Sequence, residues 1–309
     1  MKHFLLIFES TVADILKEGG AAVPNVDRIK KEAIDTTIKK FKDEILVEFF
    51  GHEPTDDEMF LLGSTGKKAE SGDIDIGIDA TKLGERDIIK NLIKLNELCT
   101  AHERLSVINS FTYNMLHVAY PQYGRSSHGK KVQIDLILSE NPNFIKFWMF
   151  FPGEQFTRYK SAHRNTLLHS ILTVASYRPL QYDDQGECIK WEQLEVNWNG
   201  IYKQLKTLVD ENGNRLTYRG TSEKLWEAYA KTAREVPFIL DVDDAISFMV
   251  GDGFEVGDID TFEKLFDIIS TNDKFKYAEQ RDEILKKAVE EFKIHESKLE
   301  FPSELQPFK

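Results

Sequence analysis

Leu61-Leu62-Gly63-Ser64-Thr65-Gly66-Lys67-Lys68-Ala69-Glu70-Ser71-Gly72-Asp73-Ile74-Asp75-Ile76-Gly77-Ile78-Asp79 is the stretch from which the rest of the chain is read. Leu61 and Leu62 close a strand, a loop rich in Gly, Ser and Lys follows, and the chain re-enters a strand on which acidic and aliphatic residues alternate. Strand side chains change face at every residue, so Asp73 and Asp75 share one face while Ile74, Ile76 and Ile78 share the other. The aliphatic face is expected in the core. The two carboxylates stand roughly 6.5 Å apart along the strand, which suits jaws on two divalent ions about 3.5–4 Å apart. Without cations their charges repel and raise one pKa. Taken alone, Asp-x-Asp is better explained as a solvated strand edge; the whole layout is that of a phosphate-binding turn facing a metal site.

Upstream, a short helix is expected near Val12 to Lys17, with a turn at Gly19-Gly20. Asn25 is placed to cap a longer helix whose apolar residues Ile29, Ala33, Ile34, Ile38, Phe41, Ile45 and Phe49 form one stripe. That helix should lie against a sheet. Glu58 to Leu62 reads as the first core strand, and Ile74 to Ile78 as its neighbour. Downstream come an amphipathic helix from Glu85 to Cys99, strands at Leu105 to Ile108 and Tyr113 to Tyr120, and a polar connection. The strand Lys131-Val132-Gln133-Ile134-Asp135-Leu136-Ile137-Leu138 follows. Its Val132, Ile134, Leu136 and Leu138 share a face, so Asp135 points the other way with Gln133 and Ile137. A carboxylate there is costly unless a cation or a partner offsets its desolvation, and a structural salt bridge is the open alternative.

From Asn141 the chain reads as a second, mainly helical domain, giving expected domains of 1–140 and 141–309. Helices are expected at Asn143 to Phe150, Phe156 to Tyr177, Thr221 to Ala233, Asp243 to Val250 and Tyr277 to His295, and a hairpin within Ile201 to Tyr218 around Asn212-Gly213. Lys160 and Arg164 are four apart, hence on one helical face, where they clamp phosphates or form a solvated surface. Gly257-Asp258-Ile259-Asp260 imitates the opening motif but leads into a helix, with Asp260 and Glu263 as a capping pair. Trp191, Trp198 and Trp226 read as core, His163 and His169 as packing or surface residues, and the Pro-containing tail as loose.

The chain has 309 residues, 41% hydrophobic and 30% charged, with a formal net charge of -12. Its length points to two domains, and no apolar run approaches the roughly 20 residues of a membrane span. The apolar Phe4 to Phe8 segment is shorter than the roughly 7–15 residues of a secretory core. Two cysteines, Cys99 and Cys188, make neither a disulfide framework nor a zinc quartet, which fits a reducing cytoplasm. The acidic balance counts against broad coating of nucleic acid, though not against a local grip on one end. Short basic stretches lie at Arg125 to Lys131 and Arg158 to Arg164.

Gly63-Ser64, Asp73-Ile74-Asp75 ten residues on, and Asp135 on a later hydrophobic strand resemble the nucleotidyltransferase superfamily typified by DNA polymerase β. The resemblance covers about residues 55 to 140. It implies an α+β fold, a mixed sheet backed by helices and bearing three carboxylates. It also implies Mg²⁺ or Mn²⁺, two ions, held by Asp73, Asp75 and Asp135 as catalytic residues, and an NTP whose β/γ-phosphates meet Gly63 and Ser64. Asp135 would serve the acceptor-side metal and assist removal of the hydroxyl proton. Lys67 and Lys68 would neutralise triphosphate charge, or are solvated loop lysines. The chain departs from many end-extending relatives in having Lys67-Lys68 after Gly66 instead of a second Gly-Ser or Gly-Thr step.

Two function classes follow. One is a metal-dependent enzyme moving a nucleoside monophosphate from an NTP to a hydroxyl, with release of pyrophosphate; the acceptor is an RNA end such as tRNA, a nucleotide, a small molecule or a protein. The other is a non-catalytic nucleotide- or RNA-binding module on the same fold. Three mutually repelling acids favour the enzyme, since a module without chemistry has no need of them.

Overall fold

Strand alternation and one long hydrophobic strand organise the first half of the chain into a helix-backed sheet. A computed structural model describes residues 22–109, 114–124, 129–219, 226–228, 231–294 and 299–309. The chain divides into two compact units, residues 1–158 and 159–309. The first contains β1 (Ile29–Lys30), α1 (Lys31–Phe41), a π-helical turn (Lys42–Leu46), α2 (Val47–Phe50), β2 (Met59–Leu61), β3 (Glu70–Ser71) and β4 (Asp73–Asp79). These are followed by α3 (Ile88–Ala101), β5 (Leu105–Asn109), β6 (Met115–Pro121), β7 (Lys131–Ser139) and α4 (Pro142–Trp148). Five strands form a mixed sheet in the order β2-β4-β7-β6-β5, with β4 and β7 parallel and the other neighbours antiparallel. β1 and β3 form a separate ribbon.

The parallel register sets Ile74 beside Ile134, Ile76 beside Leu136 and Ile78 beside Leu138, so the aliphatic faces of both strands merge. All six side chains are buried, and α1, the π turn, α2 and α3 pack on them through Ile34, Phe41, Ile45, Phe49, Leu92 and Leu95. Each fully buried aliphatic side chain stabilises the unit by about 1.5–3 kcal/mol. The opposite face is thereby left to Asp73, Asp75 and Asp135. On that face Gly77 leaves room for Phe60 of β2: a Cβ at Gly77 would meet its ring at 2.2 Å. Lys146 of α4 lies over the same ring, 4.3 Å from its centroid, so α4 belongs with the first unit and the division falls near 158 instead of 140.

The long N-terminal helix starts at Lys31, not at Asn25, which has φ +59°. The preceding residues are bound to β7: Asp27 N donates to Lys131 O at 2.7 Å, and Gln122 Nε2 donates to the carbonyls of Asp27, Arg28 and Lys131. α3 starts at Ile88, where the Asp87 side chain accepts from Ile89 N and Lys90 N. The helix and turn expected before residue 22, Tyr113 and most of the basic stretch at Arg125 to Lys131 lie outside the described residues.

The second unit contains α5 (Ser161–Ser176), β8 (Arg178–Tyr182), β9 (Cys188–Asn197), β10 (Gly200–Thr207), β11 (Thr217–Arg219) and β12 (Trp226–Ala228). The chain continues through β13 (Lys231–Ile239), α6 (Val242–Val250), α7 (Phe262–Thr271) and α8 (Arg281–Ile294). Its helices bury Leu168 and Ile171, Ile246 and Met249, Phe262 and Leu265, and Leu285 and Phe292. The expectation of a mainly helical domain needs amending, because β13-β10-β9-β8 form a four-stranded antiparallel sheet. The helix expected over Thr221 to Ala233 is, where described, β12 and the start of β13; pairing along β10 overrides local helix preference. The main hairpin joins β9 to β10 through Trp198 and Asn199, while Asn212-Gly213 tips a smaller loop closed by the Val209–Arg215 bridge.

α7 is capped by Thr261, whose hydroxyl accepts from Lys264 N, and not by Asp260, which pairs with Lys264 Nζ at 2.9 Å. The tail is docked instead of loose: Leu305 is buried, and Tyr159 OH donates to Glu304 at 2.6 Å. No helix among the described residues is long and apolar enough to cross a membrane.

Glu44, on the π turn, ties that turn to Arg104, just before β5, and to Tyr120 of β6. Its Oε1 accepts from Arg104 Nε and Nη2 at 2.9 and 2.7 Å, and its Oε2 accepts from Tyr120 OH at 2.7 Å. Burial and the Glu44 carboxylate together hold the Tyr120 hydroxyl well above its usual pKa. Glu44→Ala is expected to lower unfolding free energy by about 1–3 kcal/mol, the cost of leaving a buried donor unpaired. In a urea-denaturation double-mutant cycle, adding Tyr120→Phe should recover part of that loss; full additivity would mean the pair is not coupled.

Candidate active site

Parallel pairing of β4 with β7 sets Asp75 directly beside Asp135 and Asp73 beside Gln133. Each carboxylate offers one oxygen, and these oxygens lie within 4.8 Å of one another. Asp135 is 6% exposed and the other two are half-buried. Burial, then the charge of Asp135, pushes the Asp73 carboxyl up to about 6. Burial, then the charges of Asp73 and Asp135, raises Asp75 well above the usual carboxylate range. Asp73 and Asp75 so placed resist ionising together without a countercharge.

The Gly63-Ser64 turn is tied to the middle of this cluster. Leu62 N donates to Asp75 O at 3.0 Å, and Asp75 N donates to Thr65 Oγ1 at 2.9 Å, so the turn grips the Asp75 backbone from both sides. Thr65 N closes the turn onto Leu62 O, and Lys67 N onto Ser64 O. Gly63 has φ +58°, and a Cβ there would stand 2.6 Å from Asp75 Oδ2. Only glycine lets the backbone approach that carboxylate so closely.

The donor set fits a hard divalent cation. All three side chains offer oxygen and they are gathered on one face, a donor set suited to Mg²⁺ or Mn²⁺.

The loop lysines rest on the chain that follows α4. Lys67 Nζ lies 5.1 Å from the Phe150 ring centroid, and burial lowers its pKa. Lys68 Nζ lies 4.9 Å from the Phe151 ring centroid and 3.9 Å from Glu154 Oε1. Lys160 and Arg164 belong to the second unit. α5 begins at Ser161, so Lys160 precedes the helix and does not share its face with Arg164. Arg164 is only 1% exposed, donates to Asn165 Oδ1 and faces the charge of Asp260, so it presents no surface to a phosphate.

Two further side chains surround Asp135, one of them, His117, without any signal in the sequence. His117, on β6, is the register partner of Asp135, with Nδ1 2.7 Å from Asp135 Oδ1. Gln133 Nε2 donates to Asp135 Oδ1 and Oδ2 at 2.9 and 3.2 Å. Strand parity alone places Gln133 beside Asp135, but His117 reaches it only through the β6–β7 register.

No protein-family model matches the chain, and no curated protein matches it. Among solved structures, the crystal structure of Leishmania infantum polymerase beta in a ternary gap complex is similar over 60% of this chain, at 16% sequence identity and a TM-score of 0.36. The match spans 53% of that chain, about half its length, and a likeness this slight decides nothing about activity.

Proposed function

We propose that the chain is a metal-dependent nucleotidyltransferase that moves a nucleoside monophosphate from an NTP to an acceptor hydroxyl and releases pyrophosphate. The observation that carries this reading is the gathering of Asp73, Asp75 and Asp135 within 4.8 Å on one sheet face, against a glycine turn that packs on Asp75. Asp73, Asp75 and Asp135 would hold divalent ions, which when bound supply Lewis-acid polarisation of the phosphoryl oxygens. The Gly63-Ser64 turn offers backbone and hydroxyl donors to the β/γ-phosphates, and Lys67 and Lys68 offer countercharge beside it. Asp135 is assigned to the acceptor side, where a carboxylate assists departure of the hydroxyl proton. Acceptors are tried with tRNA first, because a second unit of this size suits a large acceptor.

The test supplies each α-labelled NTP with Mg²⁺ or Mn²⁺ and tRNA, a short oligonucleotide, a small alcohol or the protein alone as acceptor. Label transfer is expected only with metal, and Asp73→Asn or Asp75→Asn should reduce it by roughly a thousandfold or more. Nucleotide binding with no transfer to any acceptor would point to the non-catalytic module. Activity that survives both substitutions would remove these acids from the site.

A metal-free measurement bears on the same cluster. The Asp73 carboxyl is raised from 3.8 to about 6, so the folded chain binds its proton more tightly than the unfolded chain. Its contribution to stability is complete below 3.8 and is lost as pH rises through about 6. In EDTA the melting temperature should therefore fall across that interval, with a shallower fall in Asp73→Asn. At pH 7.5, Mg²⁺ or Mn²⁺ should restore the wild type and leave the variant nearly unmoved; equal responses would argue against cation binding here.

A further inference from the structure

Asp135 differs from its two companions in being held by side chains on both sides. His117 approaches from the neighbouring strand and Gln133 from two residues earlier on its own strand. An ionised carboxylate only accepts hydrogen bonds, so His117 Nδ1 carries the proton in their 2.7 Å contact when Asp135 is charged. The Gln133 amide has one workable orientation. Its Oε1 accepts from Ala22 N at 2.9 Å and Val23 N at 3.2 Å, which turns Nε2 toward Asp135. A flipped amide would set its NH₂ group against two backbone N–H donors.

Both shorter bonds converge on Asp135 Oδ1, while among the described residues Oδ2 takes only the longer one from Gln133. Oδ2 is therefore the oxygen with coordination to spare. Among the described residues, no side-chain donor is bonded to the carboxylates of Asp73 or Asp75, which are left to meet a cation without such a constraint. His117 is 8% exposed and Gln133 is buried, so water competes little for these bonds.

We propose that His117 and Gln133 are positioning residues that fix the rotamer of Asp135, so that Oδ2 completes a divalent-cation site with Asp73 and Asp75, and that the backbone at Ala22–Val23 sets the Gln133 amide for this task. The inference rests on the cation-holding part of the proposed function. Partners of this kind orient a ligand and commonly change metal affinity by about 10–100-fold.

The experiment is a Mn²⁺ titration of the full chain, with free ion followed by electron paramagnetic resonance. Asp135→Asn defines the share of binding that depends on Asp135. His117→Leu and Gln133→Leu are expected to weaken that share by about 10–100-fold. His117→Asn, whose amide nitrogen can stand where Nδ1 stands, should regain most of the loss. His117→Leu added to Asp135→Asn should weaken Mn²⁺ no further, because His117 acts only through Asp135. Mn²⁺ affinity unchanged in both leucine variants would overturn the assignment, as would a further loss in the double variant. Equal Mn²⁺ binding by wild type and Asp135→Asn would overturn it too. If Mn²⁺ binds through Asp135 as described but no label is transferred, the transfer reading fails and the positioning role stands.

Discussion

Mutual repulsion among Asp73, Asp75 and Asp135 is the constraint to which the first unit is built. Parallel register brings Asp75 and Asp135 side by side, and burial with the neighbouring charge then makes ionisation of Asp73 and Asp75 unfavourable. Folding tolerates this because the reverse faces of the same strands bury Ile74, Ile76 and Ile78 of β4 and Val132, Ile134, Leu136 and Leu138 of β7. Hydrophobic burial on one face thus offsets an electrostatic cost on the other. Such a cost is removed by binding positive charge, which is why the cluster is read as a site and not as structure.

Around that cluster the chain supplies two kinds of support. The Gly63-Ser64 turn is locked to the Asp75 backbone through Leu62 and Thr65, so the position of the turn and that of the acid are not independent. On the other side, Asp135 is held by His117 and Gln133, and Gln133 by the backbone of residues 22 and 23. The result is a rigid frame in which β4, β7, β6 and the segment before α1 each contribute one restraint. Lys67 and Lys68 stand beside this frame on Phe150 and Phe151, close in sequence to the turn but tied to a later segment.

Much of the first unit was legible because its signals are local and periodic. Alternation in Asp73–Asp79 and Lys131–Ser139 gave both strands and the faces of all three acids. The three-to-five spacing of Ile34, Ile38, Phe41 and Ile45 gave the helix, though not its start, since the backbone before Lys31 is bound to β7. The second unit was less legible. Its helices carry strong apolar stripes, whereas the stretch from Thr221 to Ala233 reads as helix although it holds β12 and the start of β13, because the strand identity of β13 depends on pairing with β10 about thirty residues earlier.

By itself, the sequence determined the order and spacing of the glycine turn and the three carboxylates, and the face of each acid on its strand. These follow from strand parity, which requires no knowledge of neighbours. Only the tertiary structure decided that Asp75 and Asp135 are adjacent, that His117 reaches Asp135, and that Arg164 is enclosed within the second unit while Lys160 precedes its helix. Each of these depends on register or packing between segments distant in the chain, and periodicity within one segment carries no information about either.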